Sequence, residues 1–380
     1  METLHCPFGQ FDLCRYPVRQ NDLLRAWDAA DEYVLNHLAE TSILKTHSRP
    51  LIVNDSFGAL SIALAEFHPQ MQSDSYLAHQ GLKHNLSINQ LENRQVCQLT
   101  SLDSPQDDFD LLIIKIPKTL AMLEDQLHRV RPLLSENTHI IAAAMAKHIH
   151  RSTLKLFESI IGPTATSLAK KKARLIFSQF DYSLKPKANP YPKKYRLENS
   201  EIELTNHSNV FSQSSLDIGS RFFLEHLPTS SKTQTIVDLG CGNGVIGLMV
   251  AIKNPQAKLT FVDESYMAIE SAKVNFQSAM PNRDAVFFAT DCLQSIKESS
   301  VDIILNNPPF HQQHAMGDHI AWQMFCESKK CLKSEGELWV IGNRHLNYHV
   351  KLKRLFGNCQ VIAGNKKFVI LKAIKFTNPS

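Results

Sequence analysis

The sequence predicts an α/β chain of two tandem doubly wound domains, the first a degenerate duplicate of the second. Three observations carry that expectation. Strand-like apolar runs alternate with helix-like segments twice along the 380 residues, the pattern of parallel sheets with crossover helices. Four segments of the first half recur, in the same order, in the second. A glycine-rich turn and a set of polar strand ends stand in the second half alone.

The repeats justify the duplication. "LIVNDSFGALSIAL" (51–64) matches "TIVDLGCGNGVIGL" (235–248) at Ile, Val, Gly, Ile and Leu. "SDSYLAHQGLKHNL" (73–86) matches "DESYMAIESAKVNF" (263–276) at Ser, Tyr, Ala, Lys and Asn. "DLLIIKIPK" (110–118) lies against "DIILNNPPF" (302–310), and "SENTHIIAA" (135–143) against "SEGELWVIG" (334–342). The offset grows from 184 to 199, as small loop insertions would cause. On this alignment Asn54, Ser56, Gly58, Ala59 and Leu60 take the places of Asp238, Gly240, Gly242, Asn243 and Gly244. Ser73 faces Asp263, and Lys115 faces Asn307. The apolar framework is kept and the polar and glycine positions are lost, so the first half keeps a core and has shed a site. Its expected job is structural or in recognition.

Bulk composition narrows the function classes. With 43% hydrophobic and 21% charged residues, the chain has ordinary globular composition, and its length favours two domains. No apolar run approaches the roughly 20 residues that span a bilayer. The N-terminal "METLHCPFGQFDLCRYP" lacks a secretory pattern. The 8 cysteines show no CxxC pairing, as expected of reduced, structural thiols in a cytosolic protein. The 17 histidines form no HExxH or Cys/His cluster, so no metal is expected.

Charge is unevenly spread. Residues 1–150 carry 12 Lys and Arg against 18 Asp and Glu, whereas residues 151–200 carry 11 against 3. The basic block, "KKKARLIFSQFDYSLKPKANPYPKKYR" (170–196), interleaves Tyr182, Tyr191 and Tyr195 with Lys170, Lys171, Lys172, Arg174, Lys193, Lys194 and Arg196. Lys and Arg near aromatics suit phosphate contact and base stacking; a solvated linker, as Pro186, Pro190 and Pro192 suggest, is the alternative.

The second half reads as chemistry. "IVDLGCGNG" ends a strand and opens the helix "VIGLMVAIK". Gly240, Gly242 and Gly244 let the backbone turn tightly and approach a ligand, with Cys241 and Asn243 completing the loop. A dinucleotide fingerprint needs glycine at 245, where Val245 stands. Asp238 repels phosphate and suits a cation such as an amino-acid ammonium. The strand "AKLTFVD" ends in Asp263, followed by Glu264, where an acidic side chain accepts from both hydroxyls of a ribose. "AVFFATD" ends in Asp291, placed to meet the amine of an adenine. An amino-acid part, a ribose and an adenine without phosphate describe S-adenosylmethionine.

"LNNPPFHQ" (305–312) completes the crevice. An exocyclic amine on a nucleobase is a poor nucleophile because its lone pair is delocalised into the ring. The side-chain oxygen of Asn307 and the carbonyl of Pro308 can each accept one of its protons as positive charge develops. Pro308 and Pro309 hold those acceptors on a rigid frame, and Phe310 offers a face for the base. The same acceptor logic serves adenine N6 or a protein glutamine. His311 and His314, which follow, could touch base or phosphate but read more simply as helix-start residues.

The glycine loop, Asp263, Asp291 and "NNPPF" together resemble the class I S-adenosylmethionine-dependent methyltransferases that act on amino groups. The degenerate first half, "SNVFSQSSLDIGSRFFLEHLP" (208–228) and "NNPPFHQQHA" narrow the resemblance, over essentially the whole chain, to the two-domain ribosomal RNA guanine-N2 methyltransferases. Within these, "RAWDAADEYVLNHL" and the length resemble the branch that modifies guanine 1835 of 23S rRNA rather than its 16S relative. The resemblance implies two class I (Rossmann-like) methyltransferase domains, the first lacking the cofactor site. It also implies an RNA substrate, cytoplasmic location and N2-methylguanosine as product. The expected organisation is a non-catalytic domain over 1–180, a basic linker over 181–200 and a catalytic domain over 201–380, acting as a monomer.

Overall fold

The computed structural model describes residues 1–19, 24–91, 96–230, 234–309 and 314–376. The chain divides into two units, Met1–Tyr191 and Pro192–Ser380.

The second unit opens with a hairpin of β10 (Lys193–Arg196) and β11 (Glu203–Asn206) and helix α6 (Ile218–Leu224), preceded by the matching elements of the first unit given below. Then follow β12 (Thr235–Leu239), α7 (Val245–Lys253), β13 (Lys258–Asp263), α8 (Tyr266–Ala279), β14 (Ala285–Ala289), β15 (Val301–Asn306) and α9 (His314–Cys331). The unit closes with β16 (Leu332–Asn343), α10 (Tyr348–Phe356), β17 (Gln360–Gly364) and β18 (Phe368–Ile374). The sheet order is β14-β13-β12-β15-β16-β18-β17, with β18 antiparallel between β16 and β17 and the remaining pairs parallel. Strands covered on both faces read as continuous apolar runs. Ile236, Phe261, Ile303 and Ile341 enter one core layer; Val237, Val262, Ile304 and Val340 enter the other, as the two-residue period of a strand requires. This order brings the ends of β12, β13 and β15 side by side, where doubly wound sheets bind their ligands.

The first unit repeats the plan element for element. It runs β1 (Glu2–Cys6), β2 (Gly9–Leu13), α1 (Ala29–Thr41), β3 (Pro50–Val53), α2 (Ala59–Ala63), β4 (Gln70–Ser73) and α3 (Tyr76–Ile88). It continues through β5 (Cys97–Thr100), β6 (Leu111–Lys115), α4 (Leu120–Val130), β7 (His139–Met145), α5 (Arg151–Ile160), β8 (Thr164–Thr166) and β9 (Ala173–Ser178). Its sheet order, β5-β4-β3-β6-β7-β9-β8, is that of the second unit.

Two expectations change. The letter-by-letter match of the glycine loop is two places out of frame: Gly58 answers Gly244, not Gly242. Both residues open a helix, at φ 83° and 77°. A Cβ on either would press on the next helix, 2.6 Å from Leu82 Cδ1 or 2.7 Å from Ala272 Cβ. Asn54, at φ 66°, then answers Gly240 at φ 71°. The N–H groups of these two donate to equivalent carbonyls, Gln72 and Val262. Asp238 pairs with Phe261 and Leu305, and Ile52 with Met71 and Ile113. In this frame Ile52 stands for Asp238, Asp55 for Cys241, Ser56 for Gly242 and Phe57 for Asn243. A short Ile-Val identity in the sequence conceals the glycine's conformational requirement. Secondly, residues 181–200 hold more than a linker, because Lys193–Arg196 pair antiparallel with Glu203–Asn206 inside the second unit.

Candidate functional site

The loop between β12 and α7 turns through three residues of positive φ, Gly240, Gly242 and Gly244. Their reasons differ. Gly244 is required by packing, as its closeness to Ala272 shows. A Cβ on Gly242 would meet nothing within 4 Å, and one on Gly240 would meet only Met324 Cε at 3.4 Å. These two glycines therefore leave open space against the backbone, the form a close-lying ligand requires.

Each carboxylate is held by hydrogen bonds. Asp263 Oδ2 accepts from the Gly242 N–H at 2.9 Å and its Oδ1 from the Ser265 N–H at 3.0 Å, which fixes the end of β13 against the loop. Glu264 beside it is exposed. Asp238 is only 1% exposed, and its Oδ2 accepts from the Gly247 N–H in the first turn of α7 at 2.8 Å. Burial pushes its pKa up to about 7, against which the Gly247 bond pulls down. Asp291 is buried, and its two oxygens accept from Gln323 Nε2 at 3.0 Å and Gln294 Nε2 at 2.8 Å. Gln323, on α9, also donates to Glu327; neither glutamine stands out in the sequence.

Asn243 is engaged within the fold. Its side chain donates to Asn206 Oδ1 at 2.9 Å, and its carbonyl accepts from Asn275 Nδ2 at 2.9 Å. Asn275 also brackets Thr205, accepting from its N–H at 2.7 Å and donating to its carbonyl at 3.0 Å. One buried asparagine thus ties α8 to the glycine loop and to the hairpin. Cys241 is buried, and burial pushes its thiol well above the ordinary range.

At the end of β15 the two asparagines divide their work. Asn306 is fully buried and donates through Nδ2 to the Leu239 carbonyl at 2.9 Å, joining β15 to β12. Asn307 donates through Nδ2 to Ser220 Oγ, on α6, at 3.1 Å. Its Oδ1, like that of Asn306, is buried and has no hydrogen-bond partner among the described residues. A buried acceptor left empty carries a desolvation penalty of about 1–3 kcal/mol, which a donor from a substrate would relieve. Pro308 is buried and Pro309 half-buried. Phe310 and His311 lie outside the described residues, and His314 opens α9.

The family description "RLMG N-terminal domain" matches residues 1–182, and "Methyltransferase small domain" matches residues 201–372. The protein named ribosomal RNA large subunit methyltransferase G of Streptomyces avermitilis is 48% identical over 379 residues, covering 98% of this chain and 99% of that one. The protein of the same name from Pseudomonas paraeruginosa is 48% identical over 377 residues, covering 99% and 100%. The chain belongs to the ribosomal RNA large subunit methyltransferase G family. Its fold is shared by a solved structure of the T. thermophilus 16S rRNA N2 G1207 methyltransferase (RsmC) in complex with AdoMet and guanosine. The TM-score is 0.76 at 19% identity, over 98% of this chain and 97% of that one.

The first unit of this chain carries a different arrangement where the second has Asn307 and Ser220. Lys115, at the end of β6, extends its ammonium to Asp31 Oδ1 at 2.6 Å and Asp28 Oδ1 at 2.8 Å, both at the start of α1. Asp28 caps α1 as Asp217 caps α6, and Asp31 holds the third position of α1 as Ser220 does of α6. An ion pair therefore occupies the slot of the asparagine–serine bond. Asp55 is buried nearby, its carboxylate accepting from Ser61 N and Oγ. Burial pushes Asp31 up to about 6, against the opposing pull of Lys115, which is itself held above its ordinary range by the two aspartates.

The basic residues fall in both units and are partly neutralised. Lys171 pairs with Glu32 at 2.7 Å, while Lys170 pairs with Glu40 at 3.6 Å and lies over the Tyr33 ring. Lys194 pairs with Glu203 at 2.8 Å, and Arg196 with Glu201. Lys172 and Arg174 are exposed and make no ion pair among the described residues. Exposed pairs of this kind contribute about 0–1 kcal/mol, so phosphates can replace the carboxylates at little cost. Among the described residues no cluster of His, Cys, Asp and Glu could hold a metal ion, and no helix is long and apolar enough to cross a membrane.

Proposed function

We propose that the chain transfers a methyl group from S-adenosylmethionine to the exocyclic N2 of a guanine in large-subunit ribosomal RNA, guanine 1835 of 23S rRNA being the position its resemblance implies. The observation that carries this reading is the buried, unpartnered Oδ1 of Asn307, set on a proline frame beside an open glycine loop. The names of the relatives support the RNA substrate, and the guanosine and AdoMet of the fold neighbour support the base and cofactor.

The residues present fit that cofactor. Gly240 and Gly242 leave room for a close-lying ligand, Asp263 is braced to receive ribose hydroxyls, and Asp238 offers buried negative charge to an ammonium. Asp291 is assigned the adenine amine. When bound, the cofactor supplies a methyl group already activated on a sulfonium, so the protein needs no strong base. Asn307 Oδ1 and the Pro308 carbonyl accept the two N–H bonds of the guanine amine, stop its rotation and stabilise the charge that grows on nitrogen. Neither takes a proton outright, since amide oxygens are far too weakly basic; once the methyl group is on nitrogen, the surplus N2 proton is acidic and passes to water. Phe310 is assigned the stacking face on sequence grounds. Lys170, Lys171, Lys172, Arg174, Lys193, Lys194 and Arg196 are assigned to RNA phosphates, and the enzyme is taken to act as a monomer in the cytoplasm.

The test supplies labelled S-adenosylmethionine with deproteinised 23S rRNA, deproteinised 16S rRNA and intact subunits, then identifies the labelled nucleoside by mass. N2-methylguanosine from the 23S sample is expected. The same product from 16S alone would overturn the branch, and methylated adenine or glutamine the base. Reversing the charges of Lys193, Lys194 and Arg196 should weaken RNA binding and flatten its salt dependence; unchanged binding would remove them from the interface.

A further inference from the structure

We infer that Ser220 is a positioning residue for the methyl transfer, fixing the Asn307 amide so that its oxygen faces the guanine amine. The inference rests on the function proposed above. The terminal torsion of an asparagine is broad and roughly two-fold. A flipped amide would present its own N–H bonds to an amine that also donates. Here Asn307 Nδ2 is engaged by Ser220 Oγ at 3.1 Å, and Oδ1 is left buried and empty. Ser220 is itself immobilised. It is 5% exposed, and its N–H and that of Gly219 donate to the Asp217 carboxylate at 3.1 Å and 2.9 Å. The strand end is thus tied to a capped helix start by one side-chain bond.

The first unit supplies independent support. There the same two positions also touch, as Lys115 and Asp31 at 2.6 Å. Both partners differ from the second unit, yet the link between helix start and strand end persists. Contact between these two places thus belongs to the fold, and the second unit fills it with a hydroxyl and an amide, the pair that can orient a hydrogen-bonding side chain.

The experiment measures single-turnover methylation of rRNA, the Kd for S-adenosylmethionine and the melting temperature in the full chain. Ser220→Ala should lower the transfer rate on the order of 10- to 100-fold, with cofactor Kd and rRNA affinity moving less than about threefold. Ser220→Thr, which keeps the hydroxyl, should recover most of the rate. Ser220→Ala transferring within about twofold of wild type, while Asn307→Ala is inactive, would overturn the inference and leave the proposed function standing. If Asn307→Ala itself turns over normally, the role proposed for Asn307 falls and the inference with it, while methyl transfer to rRNA stands. A loss in Ser220→Ala that tracks a lowered melting temperature and weakened cofactor binding, without recovery by threonine, would make Ser220 merely structural and also overturn the inference.

Discussion

The two halves share one order of strands and α-helices, yet they treat equivalent polar positions in opposite ways. Where a residue holds the fold, it is kept. Asn85 brackets Cys14 and donates to the Phe57 carbonyl at 2.9 Å, as Asn275 brackets Thr205 and donates to Asn243. Gly58 and Gly244 both survive because a side chain there would strike the next helix. Where a residue is proposed to serve a ligand, it has changed. Asp238 corresponds to Ile52, Gly242 to Ser56, and the Asn307–Ser220 bond to the Lys115–Asp31 ion pair. Gly240 corresponds to Asn54, a residue that tolerates positive φ but fills space. The comparison separates the two duties of one loop: the third glycine shapes the chain, and the first two make room.

The sharpest way to break this comparison is at the site itself. Asn307→Ala should lower turnover by about 10²- to 10³-fold while cofactor binding by titration stays within about twofold of wild type; near-normal turnover would show that the NNPP end is only a turn. Next in size is the slot's counterpart. Lys115→Met leaves Asp31 and Asp55 buried without their cation, so chemical denaturation at pH 8 should find the first unit destabilised by about 3 kcal/mol. Acidification towards pH 5 should return part of that loss as Asp31 takes a proton.

Smaller still are the paired glycines. Gly244→Ala and Gly58→Ala should each destabilise their own unit by about 1–3 kcal/mol, but only the first should also weaken cofactor binding. Equal effects on binding would mean that the first unit takes part in the cofactor site. The last prediction concerns a slope. Asp238, held near 7 in the fold against about 3.9 in an unfolded chain, makes the native state bind the extra proton between those values. Stability without ligand should therefore fall as pH rises from about 4 to 7. Asp238→Asn should flatten melting temperature against pH across that window. Some slope should remain, because Asp31 titrates over part of the same range in the first half; a profile unchanged from wild type would show that Asp238 is not the titrating group.

Much of the architecture was legible in the sequence because buried parallel strands are written as apolar runs and duplicated ones are written twice. The second half's carboxylates could be placed because each closes such a run. The loop's true frame was less legible, since a shared Ile-Val pair aligns by letter while Gly58 and Gly244 align by backbone conformation. Ser220 carried no signal at all: a serine in a helix is ordinary until a strand end 87 residues later meets it. The carboxylates that neutralise Lys171 and Lys194 were hidden for the same reason, being supplied by α1 and by the far strand of a hairpin.

The asparagine bracket has a kinetic meaning. In each half it closes a span of about 70 residues, with 71 separating Cys14 from Asn85 and 70 separating Thr205 from Asn275. Local structure cannot form it, because loop closure over that distance must come first. The amides of Cys14 and Thr205 donate to side chains fixed only by that closure. Their hydrogen-exchange rates therefore report, separately for each half, how often the hairpin leaves the body of its sheet. If Thr205 exchanges as freely as a surface amide, the bracket does not hold in solution; protection that deepens when cofactor is added would tie the hairpin's opening to the glycine loop that Asn275 also grips.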